Sequence, residues 1–234
     1  RQECGGKTPD SGLLVSQIPV WLKLLLRCFP GLVEEVTFRS KAIDIKTNSL
    51  IEQESISQII EFAAGYSQRG LEFTEKYPNL VYIETDLPEI INSKAEMVTL
   101  KNNNHVLISY NVIADEISIF DKYIYSPKTI MIAEGLMFYL RKNEMLYFLE
   151  NIGKLLRSQG GGYFIFDAMH WEDETFSIRL MRKILVPLLR LENAPWPNFQ
   201  NYDDGRNTLE TKGFRVAGFE KKGKTNIYLG AISR

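Results

Sequence analysis

Ile59-Ile60-Glu61-Phe62-Ala63-Ala64-Gly65-Tyr66-Ser67-Gln68-Arg69-Gly70, followed by Tyr82-Ile83-Glu84-Thr85-Asp86-Leu87-Pro88, is the stretch that decides how this chain folds. It reads as an apolar run ending in a small-residue turn, then a helix, then a second apolar run that closes in carboxylates. An α/β sheet builds a nucleotide site in this way: the first turn brings backbone close to the ligand, and an acid at the second strand's end grips ribose hydroxyls. The reading is a site for a nucleoside-bearing cofactor.

What the turn lacks narrows the cofactor. Dinucleotide folds need G-x-G-x-x-G so that backbone amides and a helix N-terminus meet a pyrophosphate, and only Gly65 and Gly70 are present. A P-loop needs Lys and Ser or Thr after its second glycine, whereas Leu71 and Glu72 follow here. An acid, Glu61, before the turn and another, Asp86, beyond it suit a nucleoside without phosphates. S-adenosylmethionine is the commonest such cofactor.

The pattern E-x-A-x-G-x-S-x-R-G, the later Glu84-Thr85-Asp86-Leu87-Pro88, and Glu134-Gly135-Leu136-Met137-Phe138-Tyr139-Leu140 together resemble the leucine carboxyl methyltransferase superfamily. The A-A-G-Y-S-Q-R-G wording is similar to its bacterial branch related to the tetracenomycin polyketide carboxyl methyltransferase. The likeness runs from about Val36 to Leu140 and more loosely to the end. It implies an α/β, class I methyltransferase (Rossmann-like) fold: a mostly parallel seven-stranded sheet, helices on both faces, and a C-terminal antiparallel hairpin.

Composition agrees with an ordinary globular protein. With 234 residues, 44% hydrophobic and 24% charged, the chain has the size of a single methyltransferase domain spanning 1–234. A net charge of -1 provides no overall field for nucleic acid or an anionic membrane, so neither is an expected partner. Cys4 and Cys28 lack disulfide or metal spacing, which fits a reducing, cytoplasmic setting and no metal site. The sequence opens on Arg1 rather than Met, which leaves native residues before it open and a signal peptide unassessed. Leu13 to Phe29 is apolar, but Pro19, Lys23 and Arg27 interrupt it, so it is expected to be a buried or lid helix rather than a span. Residues 1–50 are expected to form a helical lid.

Apolar runs bounded by Gly, Pro and Asn predict strands at Gln58–Phe62, Val81–Glu84, His105–Asn111, Thr129–Glu134 and Tyr163–Asp167. Helices are expected over Arg69–Lys76, from Pro88, and over Asn143–Ser158, where Leu146, Leu149, Ile152, Leu155 and Leu156 recur at helical spacing. The tail offers strands Phe214–Lys221 and Asn226–Ile232 around Gly223, a hairpin signal. Met169 to Tyr202 is too long for an ordinary connection and is expected to be an acceptor-side insertion.

The resemblance also implies roles. The cofactor's methionyl carboxylate needs a cation from Phe38-Arg39-Ser40-Lys41-Ala42-Ile43-Asp44; Lys41 matches by spacing to Gly65, the family usually has Arg at both basic positions, and Arg39 competes. Gly65 lets the chain approach the methionyl moiety. Arg69 either reaches the ligand or pairs with Asp86 or Glu84 as a strut. Asp86, followed by Leu87, is expected to accept the ribose hydroxyls, ahead of Glu84. Where the family carries Asp-Leu near the adenine this chain has Asn111-Val112, with Asp115 a rival. Glu134, closing the fourth strand, is expected to face the sulfonium or the cofactor amine.

Methyl transfer asks the protein mainly to align donor and acceptor and to exclude water. A carboxyl acceptor, with a pKa near ~4, is already ionised at neutral pH; a phenol near ~10 calls for a base. Of the two histidines, His170 lies at the site's edge and is the candidate base, against the alternative of an exposed loop residue, whereas His105 opens a strand far from that edge. Trp171, Phe176, Trp196, Phe199 and Tyr202 either line an aromatic acceptor pocket or form the insertion's own core. The expected activity is O-methylation of a carboxyl or hydroxyl group on a small polyketide-like or aromatic acceptor. The alternatives are methylation of a protein C-terminal leucine, and a cofactor-binding module without turnover. Oligomeric state is open.

Overall fold

The computed structural model describes residues 30–98, 103–123, 128–174, 180 and 197–233. The expected helix in Leu13–Phe29, both cysteines, Phe176 and Trp196 lie outside them. The described chain begins with helix α1 (Pro30–Glu54), then β1 (Gln58–Phe62), α2 (Arg69–Lys76), β2 (Val81–Asp86), α3 (Pro88–Met97) and β3 (His105–Ser109). There follow a 3-10 turn (Ile117–Tyr123), β4 (Thr129–Ala133), a second 3-10 turn (Met137–Tyr139), α4 (Lys142–Ser158), β5 (Gly162–Ala168) and a third (Trp171–Asp173). Helix α5 (Tyr202–Thr211) leads into β6 (Arg215–Lys222) and β7 (Thr225–Ile232).

The seven strands form one sheet in the order β3-β2-β1-β4-β5-β7-β6. β1 to β5 pair in parallel, and β7 runs antiparallel between β5 and β6. Strands covered by helices on both faces read as continuous apolar runs, and β1 and β4 are buried at every position. One face carries α4, whose Phe148, Leu149 and Ile152 pack on Phe62, Met131 and Phe164. The other carries α1, whose Ala42, Ile43, Leu50 and Ile51 share a core with Ile59 and Ile130. Ala42, Ile43 and Leu50, within the segment expected as a lid, are therefore part of the sheet's own core.

Boundaries differ from expectation where side chains intervene. β2 continues through Asp86, because Thr85 and Asp86 keep pairing with Ile108 and Ser109. β3 ends at Ser109 rather than Asn111, since the Asn111 side chain accepts the Ile113 N–H at 3.0 Å and turns the chain. Strand order reverses between β1 and β4, and in open α/β sheets the crevice at such a switch point, beyond the strands' carboxyl ends, is where ligands bind. The turn Ala63–Gly65 and the Glu134–Gly135 pair both open on that crevice. Among the described residues no helix is long and apolar enough to cross a membrane.

Candidate functional site

The turn after β1 is bent by backbone choice. Ala63 has φ 53° and Gly65 φ 54°, both in the left-handed region; an alanine there is uncommon, and such conformations collect at ligand sites. A Cβ placed on Gly65 would meet nothing within 4 Å, so the turn faces open space. The turn is held from β2: Gly65 N–H donates to Asp86 Oδ2 at 2.7 Å and Leu87 N–H to Asp86 Oδ1 at 2.7 Å. Asp86 stays half-buried and the Leu87 side chain is exposed beside it.

Arg69, expected as ligand or strut, is a strut with other partners than those foreseen. From the first turn of α2 its buried guanidinium reaches Asp44 at 2.5 Å, Ser40 at 3.2 Å, Glu61 and Glu134. It thereby ties α1, β1 and the end of β4 together. Neither Asp86 nor Glu84 is among its partners. Glu84 is fully buried against Lys94 and lies 3.2 Å from His105 Nε2, under Gly70, so it has no path to a ribose. Gly70 itself admits no side chain, because a Cβ there would run into the Glu84 carboxylate and the His105 ring.

Arg39 and Lys41 separate cleanly. Two residues apart on a helix they point in opposed directions. Arg39 faces the crevice, donating to Glu134 at 3.0 Å and Asp167 at 3.1 Å, while its remaining nitrogen, Nη2, lies over Gly135 with no described partner. Lys41 is exposed on a separate groove with Phe38, Ile45, Glu220 and Lys222, so the spacing argument that favoured it is not matched by where its side chain lies. Asn111 is spent on its own turn, its N–H donating to the exposed Asp115 at 2.7 Å; Val112 is buried in the core.

Four carboxylates, Asp44, Glu61, Glu134 and Asp167, thus face two guanidiniums. Burial raises the Glu61 carboxyl pKa, opposed by Arg69. Burial also lifts Asp167 to about 6, although Arg39 and the Gly135 N–H, 2.6 Å from its Oδ1, pull the other way. Both arginines feel the cost of burial but are held charged, above their ordinary pKa, by these acids. The surplus negative charge suits a ligand that brings positive charge. Asp167 and Asp44 carry no foreseen role; the signal available for Asp167 was its place at the end of a strand adjacent to β4, matching Glu134.

His170, the expected base, is neither an exposed loop residue nor open to the crevice. It is fully buried, its Nε2 lies 2.8 Å from the Tyr228 hydroxyl, and its ring stacks on Phe219. Phe199 and Tyr202 join the same aromatic group, packing on Tyr228, so they form a small core; Trp171 is 37% exposed.

Comparison with solved structures gives fold-level likeness. An O-methyltransferase family protein from Burkholderia thailandensis is 13% identical with a TM-score of 0.62, covering 85% of this chain and 57% of that one. Magnesium protoporphyrin IX methyltransferase from Synechocystis, with bound S-adenosylhomocysteine, is 12% identical with a TM-score of 0.56, covering 86% of each chain. The LepI complex with S-adenosylmethionine is 10% identical, TM-score 0.54, and covers 76% of this chain, which spans only 43% of that one. Comparison with curated proteins gives no match. The leucine carboxyl methyltransferase family profile matches residues 23–153, more than half of the sequence, from before α1 into α4. The chain belongs to the leucine carboxyl methyltransferase family.

Proposed function

We propose that this protein is an S-adenosylmethionine-dependent O-methyltransferase that methylates a carboxyl group of a small polyketide-like or aromatic acid. The observation that carries the reading is the charge arrangement at the switch point: an acid-rich crevice with one guanidinium nitrogen, Arg39 Nη2, left without a partner among the described residues. S-adenosylmethionine has two cationic groups and one carboxylate, and the residues present fit it. Arg39 takes the methionyl carboxylate, Glu134 the amine or sulfonium end, Gly65 leaves room for the chain between, and Asp86 accepts the ribose hydroxyls with its remaining lone pairs. Leu87, Asn111 and Val112 bound the adenine end. Lys41 has no part in this arrangement, and Arg69 acts through Glu61 and Glu134 as a positioning residue.

The bound cofactor would supply a methyl group on a sulfonium, ready for in-line displacement. What the chain contributes is alignment and charge. An acceptor carboxylate is ionised at neutral pH and needs no proton removed, whereas a phenol does. His170 is enclosed and its Nε2 is engaged, which favours the carboxyl acceptor over the hydroxyl. Residues 169–202 are assigned to the acceptor side and the protein to the cytoplasm, without a nucleic-acid partner.

Calorimetric titration with S-adenosylmethionine, followed by labelled methyl transfer to a panel of aromatic and polyketide-like acids, tests the reading. No binding at millimolar cofactor overturns it. Transfer to peptides ending in leucine but to no small acid assigns the protein acceptor instead, and binding without any transfer assigns a module without turnover.

A further inference from the structure

His170 presents a problem that the methyl-transfer site leaves unanswered. Its ring is fixed on three sides, by the Tyr228 hydroxyl at Nε2, by Phe219 stacked on its plane and by Phe199 at its edge. Its other nitrogen, Nδ1, is fully buried and has no hydrogen-bond partner among the described residues. That nitrogen faces Glu172 Oε1 at 3.6 Å and Asp173 Oδ2 at 3.7 Å, beyond hydrogen-bonding distance. Buried imidazole nitrogens are ordinarily satisfied, so an unsatisfied one aimed at two carboxylates calls for a third party.

The geometry points to a divalent transition-metal site, Zn2+ or Mn2+, held by His170 Nδ1, Glu172 and Asp173. One atom from each residue lies within 4.8 Å of the other two. Metal bonds of about 2.0–2.2 Å place neighbouring ligand atoms roughly 3 to 3.5 Å apart, so each carboxylate need approach His170 Nδ1 by only a few tenths of an ångström. The surroundings are those that metal ligands keep. An Nε2–H donated to Tyr228 puts the lone pair on Nδ1, and metal-bound histidines characteristically donate their other N–H to an oxygen. Asn226 Nδ2 donates to Asp173 Oδ2 at 3.0 Å and Lys221 Nζ lies 2.6 Å from Oδ1, which fixes the carboxylate while a lone pair of Oδ2 stays available.

Burial, helped by Lys221, keeps the imidazole below its ordinary pKa and hence neutral, as a ligand must be, against the pull of Asp173 and Glu172. Lys221 also lies 3.8 Å from Glu172, yet with both acids ionised the group still carries a net negative charge. Glu172 is half exposed and gives the ion a way in from solvent. One nitrogen with two oxygens suits Zn2+ or Mn2+; Mg2+ and Ca2+ favour all-oxygen sets and Cu+ favours thiolates. The ion would tie His170, Glu172 and Asp173 of one turn together, with Lys221 and Asn226 of the β6–β7 hairpin behind Asp173.

The test uses full chain treated with EDTA, dialysed and alkylated at Cys4 and Cys28, titrated with Zn2+ by calorimetry. One Zn2+ per chain is expected, with affinity at least tenfold weaker in Glu172→Gln and in Asp173→Asn. Glu172→Gln changes an exposed side chain and leaves the core untouched, so the result does not depend on whether a His170 variant folds. The 15N resonances of the two histidines provide a second reading: Zn2+ should move Nδ1 of His170 and leave His105 in place. No saturation at 1 mM Zn2+, binding unaltered in both carboxylate variants, or an unmoved His170 resonance would each overturn the site. S-adenosylmethionine binding is measured separately on the metal-free protein, so the outcome here stands apart from the methyl-transfer proposal.

Discussion

The carboxylate of Asp86 accepts the backbone N–H of Gly65, twenty-one residues earlier, at 2.7 Å, and so fixes the β1 turn from the end of the neighbouring strand. One side chain both shapes the turn and, in the proposed reading, meets the ribose. The two roles part on substitution. Asp86→Asn keeps one acceptor oxygen and loses the charge; it should weaken S-adenosylmethionine binding at least tenfold, about 1.4 kcal/mol or more. Asp86→Ala should lose that affinity and, in addition, about 1–3 kcal/mol of stability, because the Gly65 and Leu87 amides lose their acceptor. Calorimetry and urea unfolding measure the two effects separately, and unchanged affinity in both variants removes Asp86 from the site.

Arg39 and Lys41 make a controlled pair on one helix. Arg39→Ala should reduce cofactor affinity at least tenfold, since Nη2 faces the crevice with no partner among the described residues. Lys41→Ala, on the exposed opposite side, should change it by less than about twofold, as isolated surface charges contribute little. If Lys41→Ala is the more damaging variant, the methionyl carboxylate is held elsewhere than beside Gly135.

The contrast between those two residues shows what the sequence could and could not carry. Strand positions were legible to within one or two residues, because β1, β4 and β5 are apolar runs closed by glycine or acid, and that signal is local. Which of Arg39 and Lys41 faces the crevice depends on the phase of a 25-residue helix whose apolar stripe is diluted by Arg, Lys, Asp and Asn, and spacing to Gly65, which pointed to Lys41, does not carry that phase. The partners of Arg69 were hidden for a different reason: Asp44 and Glu134 lie 25 and 65 residues away, and only the sheet order brings them to one point. The enclosure of His170 likewise comes from Phe219 and Tyr228 on the C-terminal hairpin, far along the chain.

Asp167 should titrate near pH 6 rather than near 4. Burial raises it to about 6 from the ordinary 3.8, with Arg39 and the Gly135 N–H opposing and Glu134 adding to the rise. A folded pKa above the unfolded one means that the native state holds the proton more tightly. The contribution of this group is therefore full below about pH 4 and is lost as pH rises through about 6, on the order of 3 kcal/mol by linkage. Carbonyl 13C titration should show the midpoint, and Arg39→Ala should move it upward by removing the nearest opposing charge. A midpoint below 4.5 in the native protein would contradict this placement.

Arg69 offers the sharpest stability test, since its guanidinium satisfies acids on three separate elements at once. Arg69→Met leaves Glu61 fully buried with the Tyr82 hydroxyl, 2.7 Å away, as its remaining hydrogen-bond partner among the described residues and Lys94 as a more distant charge. Removing one member of such a group costs about 3–5 kcal/mol, because the remaining charge is uncompensated. Replacing both, as in Arg69→Met with Glu61→Gln, takes away the stranded charge along with its partner and should recover at least 1 kcal/mol of the loss. Arg69→Lys should fall between, as a single ammonium cannot reach Asp44, Glu61 and Glu134 together. Urea unfolding of the four proteins provides the comparison. A loss below 1 kcal/mol in Arg69→Met would mean that Arg39 and the apolar residues Ala42, Ile43, Leu50 and Ile51 suffice to hold α1 to the sheet, and that the Arg69 group serves the ligand rather than the fold.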